Sequence, residues 1–357
     1  MRAEHTQVVI IGAGIGGCIA ALALAKHYRV TLIDNQAQPP EKVGECLPPA
    51  ARRILKLLEI ESLLDKGPHL ISQGMLSYWG SSQPTVMDNL RNPDGLGWHL
   101  DRPYFERQLR AQAQLQGVQC LWPAVLKGSK YHDNKWHLEI ADNQNALLSA
   151  NIVIDATGRH CVFARTQNVK RKQLDKLMSI WLTGQFNVTK NMALISSTDN
   201  GWWYSAPLPS RCNSTSESKG QSRVVSWQLN PEHIQKSKHQ DCQWFLAQAK
   251  RVNGFGTLIE QLLPHSEQLY GIVAANTSRL EHFCGQQWFA IGDAAMSFDP
   301  LSSQGMFNAM ASAMQLSDLL IENGLTSPLT AAQYQQQMDS VWAQYLHHKN
   351  MYYAQVS

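Results

Sequence analysis

The segment Gly12-Ala13-Gly14-Ile15-Gly16-Gly17 constrains this chain more than any other, because it lies where an apolar strand must turn into a helix. Gln7 to Ile11 supplies the strand and roughly Gly16 to His27 the helix. Gly12 allows the tight turn, Gly14 lets the backbone approach a pyrophosphate, and Gly17 lets the helix pack on the sheet. The helix aims its N-terminal amides and the positive end of its dipole at the phosphates. A second strand, Val30 to Ile33, ends at Asp34, 22 residues after Gly12, where an acid accepts hydrogen bonds from an adenosine ribose. Strand, glycine turn, helix and acid at this spacing predict a Rossmann-type α/β unit. FAD and NAD remain equal at this point, since both carry adenosine diphosphate.

The choice rests on a second segment about 280 residues downstream, Gly292-Asp293-Ala294-Ala295 followed by Asp299-Pro300-Leu301-Ser302-Ser303-Gln304-Gly305. Trp288 to Ile291 reads as another strand, and Asp293 at its end is placed to bond a polyol hydroxyl such as those of a flavin ribityl chain. From Ser303 or Gln304 the pattern becomes helical, with Met306, Met310, Ala313, Met314 and Ser317 on one stripe. The Gln304 and Gly305 amides then open a helix whose N-terminus stabilises negative charge at the N1/C2 carbonyl edge of a reduced isoalloxazine. FAD is the expected cofactor. It is expected to be non-covalent, since no His or Tyr is placed by motif beside the flavin.

At 357 residues, 44% apolar and 17% charged, the chain allows one large or two medium globular domains. A net charge of +3 gives no argument for nucleic acid or a membrane as partner. Seven cysteines, among them Cys46, are scattered without a Cys-x-x-Cys pair, so neither a disulfide framework nor a zinc site is indicated and a cytoplasmic location is expected. No stretch reaches the ~18 apolar residues of a membrane span. His347 and His348 point in different directions on a helix, and no other metal, serine hydrolase or kinase signature is found, so no metal is expected.

Asp101 can cap a helix that begins with Pro103 and runs to about Gln116, with Phe105, Leu109 and Ala113 buried. Short strands are predicted near Val118 to Leu121, Trp136 to Ile140 and Ala146 to Ile154. The last ends in Asp155-Ala156-Thr157-Gly158, a turn that suits either cofactor approach or plain strand termination. The middle is β-rich, with strands at Leu70 to Trp79, Ser179 to Phe186, Met192 to Ser197, Trp202 to Leu208 and Val224 to Leu229. Ser210 to Ser222 reads as a loop, Gln235 to Arg251 as a helix, and Gly254-Phe255-Gly256 as a turn rather than a second dinucleotide site. The organisation expected is a discontinuous FAD-binding domain (1–69, 98–178, 270–325), a β-rich substrate or partner domain (70–97, 179–269) and a C-terminal helical segment (326–357), with a pocket between the first two.

Two further motifs lie between the cofactor halves: Val43-Gly44-Glu45-Cys46-Leu47-Pro48-Pro49, a loop near the flavin edge, and Gly201-Trp202-Trp203-Tyr204-Ser205-Ala206-Pro207, an aromatic strand. With them the chain resembles the flavin-dependent monooxygenase and tryptophan halogenase superfamily, which carries a Gly-Glu-Ser loop, a Gly-Trp-x-Trp-x-Ile-Pro strand and a Gly-Asp-Ala…Asp-Pro-Leu segment. The Gly-Glu-Cys-Leu-Pro-Pro form and the overall size are most similar to the LodB/GoxB-like flavoproteins, which mature the cysteine tryptophylquinone cofactor of amino-acid oxidases by acting on a tryptophan of the precursor. The resemblance implies the p-hydroxybenzoate hydroxylase-like fold. It also implies FAD contacts at Gly12, Gly14, Gly17, Asp34, Arg102, Asp293, Pro300 and Gly305, although Arg102 could equally form a surface ion pair. Cys46 stands where the superfamily has serine, and Tyr204 and Ala206 stand where halogenases have Trp and Ile. The lysine that halogenases place downstream of the loop to capture hypohalous acid has no counterpart from Gly74 to Pro84, and Lys66 comes too early.

The expected activity is that of an FAD-dependent monooxygenase on an aromatic substrate, with catalytic candidates Cys46, Gln304 and Gly305. Cys46 contacts flavin or substrate, or is a small buried hydrophobe. By the resemblance, the substrate is a peptidyl tryptophan of a quinoprotein oxidase precursor, with dioxygen and a reductant such as NAD(P)H as co-reactants. The alternatives are a small-molecule aromatic hydroxylase, an isoprenoid-type flavin reductase and a non-catalytic flavoprotein chaperone. A helix from Thr330 to Ala354 carries Tyr334, Met338, Val341, Tyr345 and His348 on one stripe, either a core face or a partner surface.

Overall fold

The computed structural model describes residues 4–89, 92–142, 145–186, 191–209, 221–234, 241–264, 269 and 272–356. The loop expected at Ser210 to Ser222 and the start of the helix expected from Gln235 therefore fall largely outside the described residues.

The first strand, Glu4–Ile11, lies between two parallel neighbours, Ala146–Asp155 and Val30–Ile33. Gln119–Leu121 extends this parallel sheet on one side and Trp288–Ala290 on the other. All five strands finish at the same edge, which is the crevice where open α/β sheets bind ligands. The backbone closes that edge tightly: Gly12 N donates to Ile33 O at 2.7 Å and Ala156 N to Ile11 O at 2.8 Å. An antiparallel meander, Val125–His132 and Lys135–Ala141, joins through the first half of Ala146–Asp155. The strand Val125–His132 was not foreseen, because its Lys, Gly and Ser residues give it no alternating apolar face and it lies half-exposed at the sheet margin.

Helix Ile15–Ala25 is buried on nearly every side. It packs against the sheet, against Arg102–Leu115 and against Gly305–Asn323. A Cβ on Gly16 would come within 3.2 Å of Ala309 O, so this glycine sets how closely the first and penultimate helices approach. Helix Arg102–Leu115 begins one residue before the expected Pro103, with the Asp101 cap as expected, accepting from Tyr104 N at 2.9 Å, and Phe105, Leu109 and Ala113 buried.

The second large sheet runs in the order Leu262–Pro264, Met178–Phe186, Gln221–Leu229, Gly201–Pro207, Met192–Thr198, Gly74–Tyr78 and Thr85–Asp88. Strand alternation gives its two faces different neighbours. Trp203 and Trp227, stacked at 4.8 Å, pack with Phe245 and Phe255 under the short helices Cys242–Ala249 and Gly256–Glu260. Their strand neighbours Trp202, Tyr204, Ser226 and Gln228 belong to the opposite face, which looks onto the first sheet's crevice. The stretch Leu70 to Trp79 is two strands rather than one. Leu70–Ser72 pairs with Gly97–His99, and Gly74–Tyr78 joins the large sheet. Gly74 makes the break at φ 142°, where a Cβ would stand 2.2 Å from Met87 O.

The C-terminal helix Pro328–Tyr353 is capped by Ser327 and carries Pro328 in its first turn. Tyr334, Met338, Trp342 and Tyr345 are buried in the core of the dinucleotide-type domain, while His348 is exposed. The expected stripe is thus a core face, with Trp342 more deeply buried than the expected Val341 and His348 outside it. No helix among the described residues is long and apolar enough to cross a membrane.

Candidate flavin and substrate site

One cavity of about 1000 Å³ runs from the first glycine turn to the inner face of the second sheet. It lies at the upper end of the range for small-molecule sites. Its first part is built by the strand ends. Gly12 has φ 104° and its missing Cβ would overlap Ala156 O at 2.4 Å, so the two turns at the ends of Glu4–Ile11 and Ala146–Asp155 lie back to back. Asp155, fully buried, holds the second turn by accepting from Thr157 N, Thr157 Oγ1 and Ala164 N. Ala156, Thr157 and Gly158 line the cavity. A Cβ on Gly14 would meet nothing within 4 Å, because the position opens onto the cavity.

Gly17 is different. Its Cβ would stand 1.8 Å from Gly12 O, and the residue does not line the cavity, so it packs the helix on the turn rather than touching a ligand. Asp34 lines the cavity but is already engaged. Its Oδ2 accepts from Ala13 N at 2.7 Å and pairs with Arg110 Nη2 at 3.1 Å, and its Oδ1 accepts from Gln36 N at 2.8 Å. A carboxylate has about four acceptor sites, so Oδ1 keeps room for one donor such as a ribose hydroxyl. Arg110 also donates to Ala13 O and Gln36 O. The sequence reading missed it, and the signal was there: Glu106 and Arg110 interrupt the buried face of an otherwise amphipathic helix.

Arg102 is not a surface ion pair. Its Nη1 donates to Val43 O at 3.0 Å and Gly44 O at 3.3 Å, and its Nε pairs at 3.0 Å with buried Glu106, so it straps the Gly-Glu-Cys loop to the helix at the rim of the cavity.

The second half of the cradle is the Gly292-Asp293-Ala294 turn. Gly292 N donates to Ser312 Oγ at 2.9 Å, and Arg171 donates to Asp293 O and Ala294 O. The Asp293 side chain is partly exposed toward the cavity, 3.9 Å from Arg159, a second cation that the sequence reading did not single out. Pro300 and Gly305 line the cavity, and a Cβ on Gly305 would meet nothing within 4 Å. Gln304 does not line it. Its side chain is exposed and its amide donates to Ser302 Oγ at 3.3 Å, so the expected pair of helix-opening amides reduces to the Gly305 end.

The third region is the inner sheet face. Glu45, 4% exposed, accepts from Tyr204 Oη at 2.8 Å, and both line the cavity. Burial pushes the Glu45 carboxyl up and the Tyr204 phenol up with it. Cys46 pairs in register with His99, and burial, helped by the Glu45 charge, pushes its thiol up to about 12. Cys46 therefore lines the cavity as a thiol whose ionisation burial disfavours near neutral pH. Burial, with the Arg223 charge, lowers His99 to about 4. Beyond Tyr204, Gln228 Nε2 donates to Ser226 Oγ at 2.9 Å and Ser179 Oγ at 3.4 Å, forming a polar strip beside Trp202. Glu45, in the Gly-Glu-Cys loop, is a site residue that the sequence alone does not single out, because its partner sits 159 positions away.

The residues present fit FAD. An open backbone at Gly14, an acid with one remaining acceptor site, a polar side chain at Asp293 and an open helix start at Gly305 line a single volume. Gly12 and Gly14 would hold the pyrophosphate, Asp34 the ribose, Asp293 the ribityl chain and Gly305 the flavin edge. Bound there, the flavin supplies two-electron chemistry and activation of dioxygen. The chain itself contributes orientation and a proton held between Tyr204 Oη and Glu45 Oε1.

Residues 5–346 match the family model described as an FAD binding domain. The chain is 24% identical over 352 residues to a putative FAD-dependent oxidoreductase, LodB, of Marinomonas mediterranea, covering 96% of this chain and 91% of that protein. Among solved structures, the myxobacterial chondrochloren halogenase CndH superposes with a TM-score of 0.83 at 18% identity, over 98% of this chain and 83% of the other. The peptidyl tryptophan dihydroxylase QhpG, essential for tryptophylquinone cofactor biogenesis, superposes with a TM-score of 0.76 at 19% identity, over 99% and 76%. These likenesses carry the hydroxylase-like fold expected from the sequence.

Proposed function

We propose, taking as premise that this chain belongs to the FAD binding domain family and is an FAD-dependent oxidoreductase of the monooxygenase and halogenase group, that it hydroxylates a tryptophan held in a partner protein. The partner would be the precursor of a quinoprotein amino-acid oxidase. The observation that carries this reading is the continuity of the cavity. The flavin cradle is continuous with a sheet face on which Trp202, 2% exposed, lies beside the hydrogen-bonding groups of Tyr204, Ser226 and Gln228. An indole presents one flat apolar face and one N–H donor, and such a surface suits it. The likeness to QhpG, a peptidyl tryptophan dihydroxylase, supports a protein-borne substrate over a free one.

In this reading Gly12, Gly14, Asp34, Asp293, Pro300 and Gly305 bind FAD, and Glu45 with Tyr204 handles the proton at the substrate side. Dioxygen and a reductant such as NAD(P)H complete the reaction.

The test is co-expression of an oxidase precursor with this chain, with its absence and with Gly14→Val. Peptide mass analysis should find added oxygen on a precursor tryptophan only with the intact chain, and free tryptophan should be a poor substrate. Equal modification in all three cases would remove the maturation reading and leave a small-molecule aromatic hydroxylase as the better one.

A further inference from the structure

Asp299 opens the Asp-Pro-Leu segment of the cofactor cradle and is 2% exposed, yet its carboxylate is held by its own chain. Oδ1 accepts from Leu301 N at 2.9 Å. Oδ2 accepts from Tyr353 Oη at 2.7 Å and lies 3.5 Å from Lys349 Nζ. Lys349 also reaches Asp175 at 2.5 Å and Thr277 Oγ1 at 2.6 Å. Tyr345 accepts the Asp299 amide at 2.8 Å and stacks on Phe298 with ring centroids 4.1 Å apart. Tyr345, Lys349 and Tyr353 are four residues apart and form one stripe at the end of the C-terminal helix. The same Tyr353 oxygen accepts from Trp202 Nε1 at 3.1 Å. Asp299 and Trp202 both line the cavity, one on the dinucleotide side and one on the β-rich sheet.

We propose that Tyr345, Lys349 and Tyr353 are positioning residues of the flavin site, which fix the Asp299–Pro300 segment against Trp202 and thereby couple FAD binding to docking of the last helical turn. A single phenol oxygen spans two opposite sides of the cavity, giving its proton to one and a lone pair to the other. Its removal leaves a buried indole N–H and a buried carboxylate oxygen each short of one partner, a loss that rearranges both sides. Lys349 places a positive charge between two neighbouring carboxylates, the buried Asp299 and the half-buried Asp175. Such coupling is reciprocal: if the docked turn favours FAD, then FAD must favour the docked turn by the same factor. The inference uses only the FAD assignment and is independent of the substrate.

Hydrogen exchange of the full chain with and without FAD, together with FAD titration of the wild type and of Tyr353→Phe, tests it. FAD should slow exchange in the C-terminal turn of the wild type by about tenfold, beyond any slowing in the helix Cys242–Ala249, and Tyr353→Phe should lose this local protection and bind FAD about tenfold more weakly. Trp202→Phe, which removes one arm of the bridge, should show a smaller loss of both. Exchange in the wild-type C-terminal turn that is indifferent to FAD would overturn the proposal even if Tyr353→Phe folds poorly. Wild-type FAD affinity in a folded Tyr353→Phe would overturn it as well.

Discussion

Gly14 and Gly17 belong to one motif, and a side chain at each meets opposite surroundings. At Gly14 the backbone is ordinary, φ −78° and ψ −171°, and a Cβ faces open cavity. Gly14→Val should therefore fold, melt with the wild-type apoprotein and purify colourless, because the valine occupies the approach to the pyrophosphate. A fully yellow Gly14→Val protein would sink the cofactor assignment. At Gly17 even a methyl group collides with backbone, so substitution there disrupts the turn itself. His99 carries a second residue-scale prediction. It is 0% exposed, and neither ring nitrogen has a hydrogen-bond partner among the described residues. Its folded value of about 4 lies below the unfolded value near 6.5, so the unfolded chain takes up the proton first. The His99 contribution is intact above pH 6.5 and is lost as pH falls toward 4, by about 3 kcal/mol in all. His99→Leu should flatten the pH dependence of the urea midpoint across that window. A variant as acid-sensitive as the wild type would show that His99 is not buried neutral.

At the scale of elements, the strand Gly74–Tyr78 bears on halogenation. It contributes no lysine, and Lys66 is exposed at the end of the helix Ser62–Lys66, away from the cavity lining. Lys42 is the lysine among the described lining residues, and it is paired with Glu106 at 3.3 Å beside the loop strapped by Arg102. Among the described lining residues, the one amine that hypohalous acid could meet on the way to the substrate face is thus that of Lys42, already engaged by Glu106. Incubation with reduced flavin, dioxygen, bromide and tryptophan should yield no brominated product; reproducible enzyme-dependent bromotryptophan would overturn this expectation. Elements with a local start signal were legible in the sequence. Asp101 before Pro103 located the helix Arg102–Leu115, and the glycine turn located Ile15–Ala25. Elements defined by their neighbours were not. Nothing local distinguishes Leu70–Ser72 from Gly74–Tyr78, since the break at Gly74 is set by the close approach of Met87.

At the scale of the whole molecule, the sequence determined the kind of cofactor cradle. The chemistry of a glycine turn, an acid at a strand end and a helix opening at Gly305 is carried by short runs of chain, and these survive without knowledge of the fold. The same holds for the β-rich middle, whose strands show alternation. The tertiary structure alone decided what each side chain does. It engaged three of the roughly four acceptor sites of Asp34 through the Ala13 amide, the Gln36 amide and Arg110. It disfavoured ionisation of the Cys46 thiol by burial, turned Gln304 away, and brought Tyr204 to Glu45 and Tyr353 to Asp299 across 159 and 54 positions of sequence. The physical reason is common to all five. A motif records the backbone geometry a residue allows, whereas charge state, hydrogen-bond partners and access depend on desolvation and on groups from distant segments, and only packing brings those together.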